Sequence, residues 1–115
     1  MIVSDKDQIS EIQVSGTDVK DVFKKVLISP KEGWAGNVMR VFKIKSGGNT
    51  PKHDHPWFHV NYVLKGKGTL YLDGKSYEIG EGAFAYVPAG NVHQFSNNSN
   101  EDLEFICIVP EEGEN

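Results

Sequence analysis

This 115-residue chain has four histidines, and all of them fall in two short patterned stretches. The first, Gly47 to Gly66, reads G-G-N-T-P-K-H-D-H-P-W-F-H-V-N-Y-V-L-K-G and carries His53, His55 and His59. The second, Gly82 to Asn97, reads G-A-F-A-Y-V-P-A-G-N-V-H-Q-F-S-N and carries His93. Side chains of equal parity point to the same face of an extended strand. His53 and His55 therefore share a face, and His59 returns to it if the strand keeps its register through Pro56. Neutral imidazole is the commonest metal ligand, so His53, His55, His59 and His93 are predicted to hold one metal ion per chain. Four inward imidazoles without partners are costly to bury, and a divalent ion resolves this by taking one lone pair from each. Four nitrogens closing a tetrahedron around zinc make a structural site. Four in an octahedron leave two positions open, for a chelating ligand or for a ligand plus dioxygen. Each ligand ring needs an acceptor for its other N–H, which the sequence does not name.

Other groups near these stretches have more ordinary readings. Arg40, flanked by apolar residues, reads first as an arginine reaching the surface at a strand edge and second as a cation lining a pocket mouth. Asp54, between two ligands but of opposite parity, reads as solvated. Trp57 and Phe58 read as packing residues at the pocket rim, with ligand contact as the alternative. Cys107 reads as a small core residue, with proximity to the metal as its alternative. Tyr62 and Tyr86 fall on outward parity, which argues against a catalytic phenol. No nucleophile has a base beside it, so covalent catalysis is not expected.

The two stretches resemble the two motifs of the cupin superfamily. The first motif reads glycine, five residues, His-x-His, three or four residues, Glu, six residues, glycine; Gly47, His53, His55 and Gly66 fit it. The second reads glycine, five residues, Pro-x-Gly, two residues, His, three residues, Asn; Gly82, Pro88, Gly90, His93 and Asn97 fit it. The departure is His59, which stands where most cupins carry glutamate. The segment H-D-H-P-W-F-H and the ending F-I-C-I-V-P-E-E-G resemble the small single-domain manganese cupins with four histidine ligands. The resemblance implies an all-β, double-stranded β-helix (jelly-roll barrel) with an open metal site inside. Manganese or iron leads as the ion, with nickel, copper and zinc behind. It implies no particular substrate.

These side chains must be positioned by short strands. Val19, Val22, Phe23, Val26 and Leu27 follow helical spacing, yet β-branched residues dominate and Ser29-Pro30 ends the run; residues 19–28 are read as a strand. Further strands are predicted over 38–45, ending at Ser46-Gly47-Gly48-Asn49, and over 59–65, 69–72, 75–79, 83–87, 92–95 and 103–109. Asp73-Gly74 is a hairpin signal, and Pro88-Ala89-Gly90-Asn91 is a turn presenting His93. Residues 1 to about 18 read as a loose arm or strand, and Glu111 to Asn115 as a fraying tail. The whole is read as one domain, with an arm over about 1–30 and a barrel over about 31–110. Short strands with frequent turns indicate a sandwich or barrel.

Parity within two strands reaches further. If His59 faces inward, so do Asn61 and Val63, leaving Val60, Tyr62 and Leu64 outside. If Cys107 faces inward with Leu103 and Phe105, Ile106 and Ile108 lie outside. Strands apolar on both faces are covered on both, so a homodimer is expected. The net charge of −4 gives no reason to expect nucleic acid. The N-terminal residues suggest neither signal peptide nor membrane anchor, and the single Cys107 fits a reducing, cytoplasmic setting. Function is read as a metal-dependent enzyme on a small anionic or chelating substrate, with oxygen-dependent oxidation or cleavage ahead of isomerisation. The alternatives are a non-catalytic binding or sensing module and a closed zinc site.

Overall fold

The computed structural model describes residues 1–114. Nine strands alternate with tight turns: β1 (Ile12–Gln13), β2 (Lys20–Ile28), β3 (Asn37–Asn49), β4 (His59–Lys65), β5 (Lys67–Leu72), β6 (Lys75–Gly80), β7 (Phe84–Val87), β8 (His93–Ser96) and β9 (Leu103–Pro110). They form one curled antiparallel sheet in the order β6-β5-β8-β3-β9-β4-β7, with β2 also paired to β3 and β1 to β2. The fold is an all-β barrel, as expected. Among the described residues, no helix is long and apolar enough to cross a membrane.

Residues 20–28 are a strand, not a helix; they pair with β3 from Lys20↔Asn49 to Ile28↔Met39. Pairing along β3 satisfies the backbone and overrides the weak helical spacing of the apolar residues. β3 itself runs past Lys45 through Gly47 and Gly48 to Asn49. Gly48 allows this because its backbone passes close to the Lys20 carbonyl, where a Cβ would collide. Asp73 and Gly74 both have positive φ, 48° and 93°, as a two-residue type I′ hairpin turn requires. Gly66 is confined by its surroundings as well as by its φ of 85°: a Cβ there would collide with the Asp102 carbonyl.

Alternation along β4 and β9 sets the inside of the barrel. His59, Asn61 and Val63 are buried while Val60 and Tyr62 are exposed, and Leu103, Phe105, Cys107 and Val109 are buried in turn. Antiparallel register places Arg40 opposite Cys107 and Cys107 opposite Asn61. One inward row therefore crosses three strands. Below it, Phe105 stacks between Phe95 (ring centroids 4.3 Å) and Phe42 (5.7 Å). Phe95 and Phe105, both buried, each contribute about 1.5–3 kcal/mol through loss of water contact. Ile44, Leu103, Val22 and Val38 close the same core.

Two expectations are corrected here. Of the tail expected over Glu111 to Asn115, Glu111–Glu114 is a short 3-10 turn and not frayed, and Asn115 lies outside the described residues. The Glu111 N–H donates to the Gly36 carbonyl at 2.8 Å, and Glu114 pairs with Lys24 and Arg40. His53 and His55 do not extend a strand toward His59. They lie in the connection between β3 and β4, where His53 makes only an isolated bridge to His93.

Candidate metal centre and its cavity

The connection carrying His53 and His55 is held by the second motif. His53 and His93 exchange backbone hydrogen bonds at 3.1 and 2.9 Å, and the Gly90 N–H donates to the His55 carbonyl at 2.9 Å. Gly90, with φ 83°, lets the Pro88–Asn91 turn bend tightly enough to make that contact. His59 begins β4 and His93 begins β8. Backbone pairing between the two motifs, rather than strand parity, thus brings His53 and His55 to the other two rings.

His53, His55 and His93 each offer a ring nitrogen within 4.8 Å of the others. His59 stands beside that trio, its Nε2 3.2 Å from His93 Nε2. Ring centroids of His55 lie 4.7 Å from His93 and 5.5 Å from His59. Three of the rings have their Nδ1 engaged by an oxygen. His55 Nδ1–H donates to the Trp57 carbonyl at 2.8 Å, His59 Nδ1–H to Asn61 Oδ1 at 2.6 Å and His93 Nδ1–H to the Asn91 carbonyl at 2.9 Å. Asn61 Nδ2 donates to the Ile106 carbonyl at 3.3 Å, which orients the amide with its oxygen toward His59. Each engaged ring, when neutral, then presents an Nε2 lone pair.

For His53, His59 and His93, burial more than any neighbour disfavours the charged form. It pushes His59 down to about 3, with His93, His55 and Arg40 adding repulsion and the Asn61 hydrogen bond opposing. His93 is lowered chiefly by burial, and His53 by burial and then by His55. Two neutral imidazoles cannot hydrogen-bond through two lone pairs, so the facing Nε2 atoms of His59 and His93 at 3.2 Å form an arrangement that a shared cation would relieve. Nitrogens bound to one ion at about 2.0–2.1 Å lie roughly 3 Å apart, so the His59–His93 pair has the spacing that a shared divalent transition ion would need, while the three-histidine cluster is wider, within 4.8 Å.

The rings line one wall of a cavity of about 440 Å³, within the usual range for small-molecule sites. Arg40 and Cys107 line it too. Arg40 is not a surface arginine, as first expected; it is 8% exposed. Its Nη2–H donates to Cys107 Sγ at 3.0 Å and its Nη1–H to Glu114 Oε1 at 3.3 Å. Burial raises the Cys107 thiol, against the pull of Arg40, so the sulfur is a protonated wall atom. Trp57 lines the cavity and stacks on His55, ring centroids 4.6 Å apart. Phe58 sits at the surface beside Tyr86, Asp54 is exposed, and Tyr62 and Tyr86 point outward.

Asn61 and Asn91 were not singled out by the sequence reading as acceptors, nor the Val14–Val19 segment as cavity wall. Asn61 carried a signal: a polar residue two positions after His59 on the same inward face. Asn91 acts through its carbonyl, to which side-chain identity gives no clue. Asn97, the last residue of the second motif, is fully buried and serves the fold: its Nδ2 donates to the Ile44 and Glu101 carbonyls at 2.8 and 2.7 Å.

Comparison with known proteins agrees with this fold. Residues 40–109 match the Cupin domain family. The chain belongs to the cupin family. Among its relatives, this cupin is 31% identical over 77 residues to the oxalate-binding protein of Thermotoga maritima, a match covering 64% of each protein. It is 31% identical over 93 residues to quercetin 2,3-dioxygenase of Bacillus subtilis, covering 80% of this chain and 23% of that one. Among solved structures it superimposes on the polyketide cyclase RemF from Streptomyces resistomycificus with a TM-score of 0.91 and 27% identity, covering 96% of this chain and 80% of that one. Both curated relatives extend well beyond the matched segment, and the three named activities differ. The shared fold does not choose among them.

Proposed function

We propose that this cupin holds one divalent transition ion through His53, His55, His59 and His93 and acts on a small anionic, chelating ligand. The observation that carries the reading is the pair of Nε2 atoms of His59 and His93 at 3.2 Å, with both Nδ1 atoms committed to oxygen acceptors. Manganese or iron is the leading ion. Bound there, it supplies Lewis-acid polarisation and a template for the ligand. The protein's own part is orientation and exclusion of water. Asn61, Asn91 and the Trp57 carbonyl hold three rings in place, and the aromatic floor of Phe95 and Phe105 keeps the cavity's inner end dry. The reaction favoured is oxygen-dependent oxidation or cleavage, with isomerisation behind it.

A second reading is a binding or sensing cupin without turnover. It is favoured by one observation: among the described residues, no aspartate or glutamate lines the cavity. Glu114, which pairs with the lining Arg40, is tied to Lys24 as well and is no free base. The oxalate-binding relative is consistent with this reading.

The test begins with metal analysis of untagged protein and of a His55→Ala/His93→Ala variant after dialysis. The expected result is one ion per chain in the parent and none in the variant. Full metal content in the variant rejects the site. Turnover screening of phenols, keto acids and sugars under air and under argon then separates enzyme from binder.

We also propose a homodimer through the outer face of β4 and β7. Support comes from Tyr62, Phe84 and Tyr86, which are 47%, 81% and 61% exposed. Register pairs Val60 with Tyr86 and Tyr62 with Phe84, so they form one continuous apolar strip. β7 also ends the strand order.

A further inference from the structure

We propose that Arg40 is the carboxylate-binding residue of the cavity, and that Glu114 is an internal carboxylate which an incoming ligand displaces from it. This deepens the reading of the cavity as a ligand site and rests on that reading, but not on the metal. Arg40 is 92% buried (8% exposed). Among the described cavity-lining residues it is the only arginine, and no lysine, aspartate or glutamate joins it. Its Nε–H is buried with no acceptor among the described residues. A buried guanidinium with an unused donor costs free energy until an acceptor meets it. An arginine fork suits a carboxylate, which accepts two parallel N–H bonds.

Glu114 is placed to give way. Its Oε2 lies 2.7 Å from Lys24 Nζ, and its Oε1 lies 3.3 Å from Arg40 Nη1. The shorter contact is to lysine, so Glu114 keeps a counter-charge after leaving Arg40. It is carried on the 3-10 turn Glu111–Glu114, and the preceding Gly113 lies against Trp57. The turn is thus packed on the same ring that stacks on His55. Beside the guanidinium, the Phe42 ring centroid is 4.8 Å from Arg40 Cζ, and Phe105 continues that apolar wall. A carboxylate bonded to Arg40 would lay its carbon body against these rings. The ligand class is therefore a carboxylate with a flat apolar or aryl body, its remaining oxygens directed to the histidine wall.

The experiment uses benzoate and its neutral isostere benzamide, titrated calorimetrically into full-length protein, metal-free and metal-loaded. In the metal-free parent, benzoate is expected to bind about tenfold more tightly than benzamide, the size of one charged hydrogen bond. Arg40→Met should abolish that preference. Glu114→Gln should tighten benzoate severalfold and leave benzamide unchanged, because the competitor has gone. A purely structural ion pair would instead show lower stability in Glu114→Gln with no gain for benzoate. That result, or equal or undetectable binding of both probes to the metal-free parent, overturns the proposal. If Arg40→Met does not fold, Glu114→Gln decides alone. Failure of the metal reading appears separately, as absence of bound metal, while the benzoate preference survives.

Discussion

His59 and Asn61 lie two residues apart on the inward face of β4, and the histidine Nδ1–H donates to the asparagine Oδ1 at 2.6 Å. The strand's own period thus supplies both a candidate ligand and the group that orients it. Asn61→Ala removes the acceptor and frees the ring to rotate. Metal affinity should fall about 10- to 100-fold, measured by competition with a chromophoric chelator. Asn61→Asp keeps the acceptor but loses the donor to the Ile106 carbonyl, so it should recover most of the affinity that Asn61→Ala loses. Unchanged affinity in Asn61→Ala would mean that packing alone holds the ring.

Protonation gives a second prediction, for the metal-free protein. His59 is held down to about 3 in the folded state, against about 6.5 unfolded. Between those values the unfolded chain binds the extra proton, so stability rises with pH there. It should be complete above about pH 6.5 and be lost progressively as pH falls toward 3. Melting temperatures of chelator-treated protein at pH 7, 5.5 and 4 check this. His59→Asn should flatten the profile over that window, although His93, also lowered, will leave a remnant slope. A parent profile as flat as that of the variant would contradict the burial argument.

How far the sequence foretold this site follows from the range of each interaction. Alternation is local, so the inward set His59, Asn61, Val63 and Leu103, Phe105, Cys107 could be read from period two alone. The turn residues Asp73-Gly74 and Pro88–Asn91 were equally legible, because backbone conformation there depends on the residues themselves. Arg40 was misplaced at the surface because its partners come from far along the chain. Cys107 reaches it only through β3–β9 register, and Glu114 only through a turn that looked, by composition, like a solvated tail. Likewise the bridge between His53 and His93 joins the two motifs across the barrel, which no single stretch encodes.

The exposed strip on β4 and β7 gives a third prediction. A two-fold contact uses the same patch on both copies, so one substitution is felt twice. Phe84, 81% exposed, contributes little to its own chain's core. Phe84→Lys should therefore convert dimer to monomer at micromolar concentration while leaving metal content and the isolated chain's fold intact. Sedimentation equilibrium should report about twice the 12.8 kDa chain mass for the parent and the single mass for the variant. A monomeric parent refutes the interface outright.

The last prediction concerns site charge. A neutral imidazole at position 59 leaves a divalent ion at +2, whereas a carboxylate there would reduce it to +1, and a bound ion is the largest local charge in such a cavity. Arg40 lines the same cavity with its charge partly offset by Glu114, and no described lining residue is acidic. Open positions beside the ion should therefore favour an anion that chelates through two oxygens. His59→Glu supplies the negative charge from the protein. Asn61 must then turn its amide to donate toward the new carboxylate, giving up its 3.3 Å bond to the Ile106 carbonyl. That cost is modest, about 0.5–1.5 kcal/mol for one hydrogen bond, and glutamate suits the same divalent ions, so metal should be retained. Oxalate should bind less tightly to His59→Glu than to the parent, while a neutral diol should bind both alike. Titration of each into metal-loaded protein, followed through the ion's paramagnetic or optical spectrum, measures the difference. Equal or tighter oxalate binding in His59→Glu would show that the charge of the site does not select its ligand.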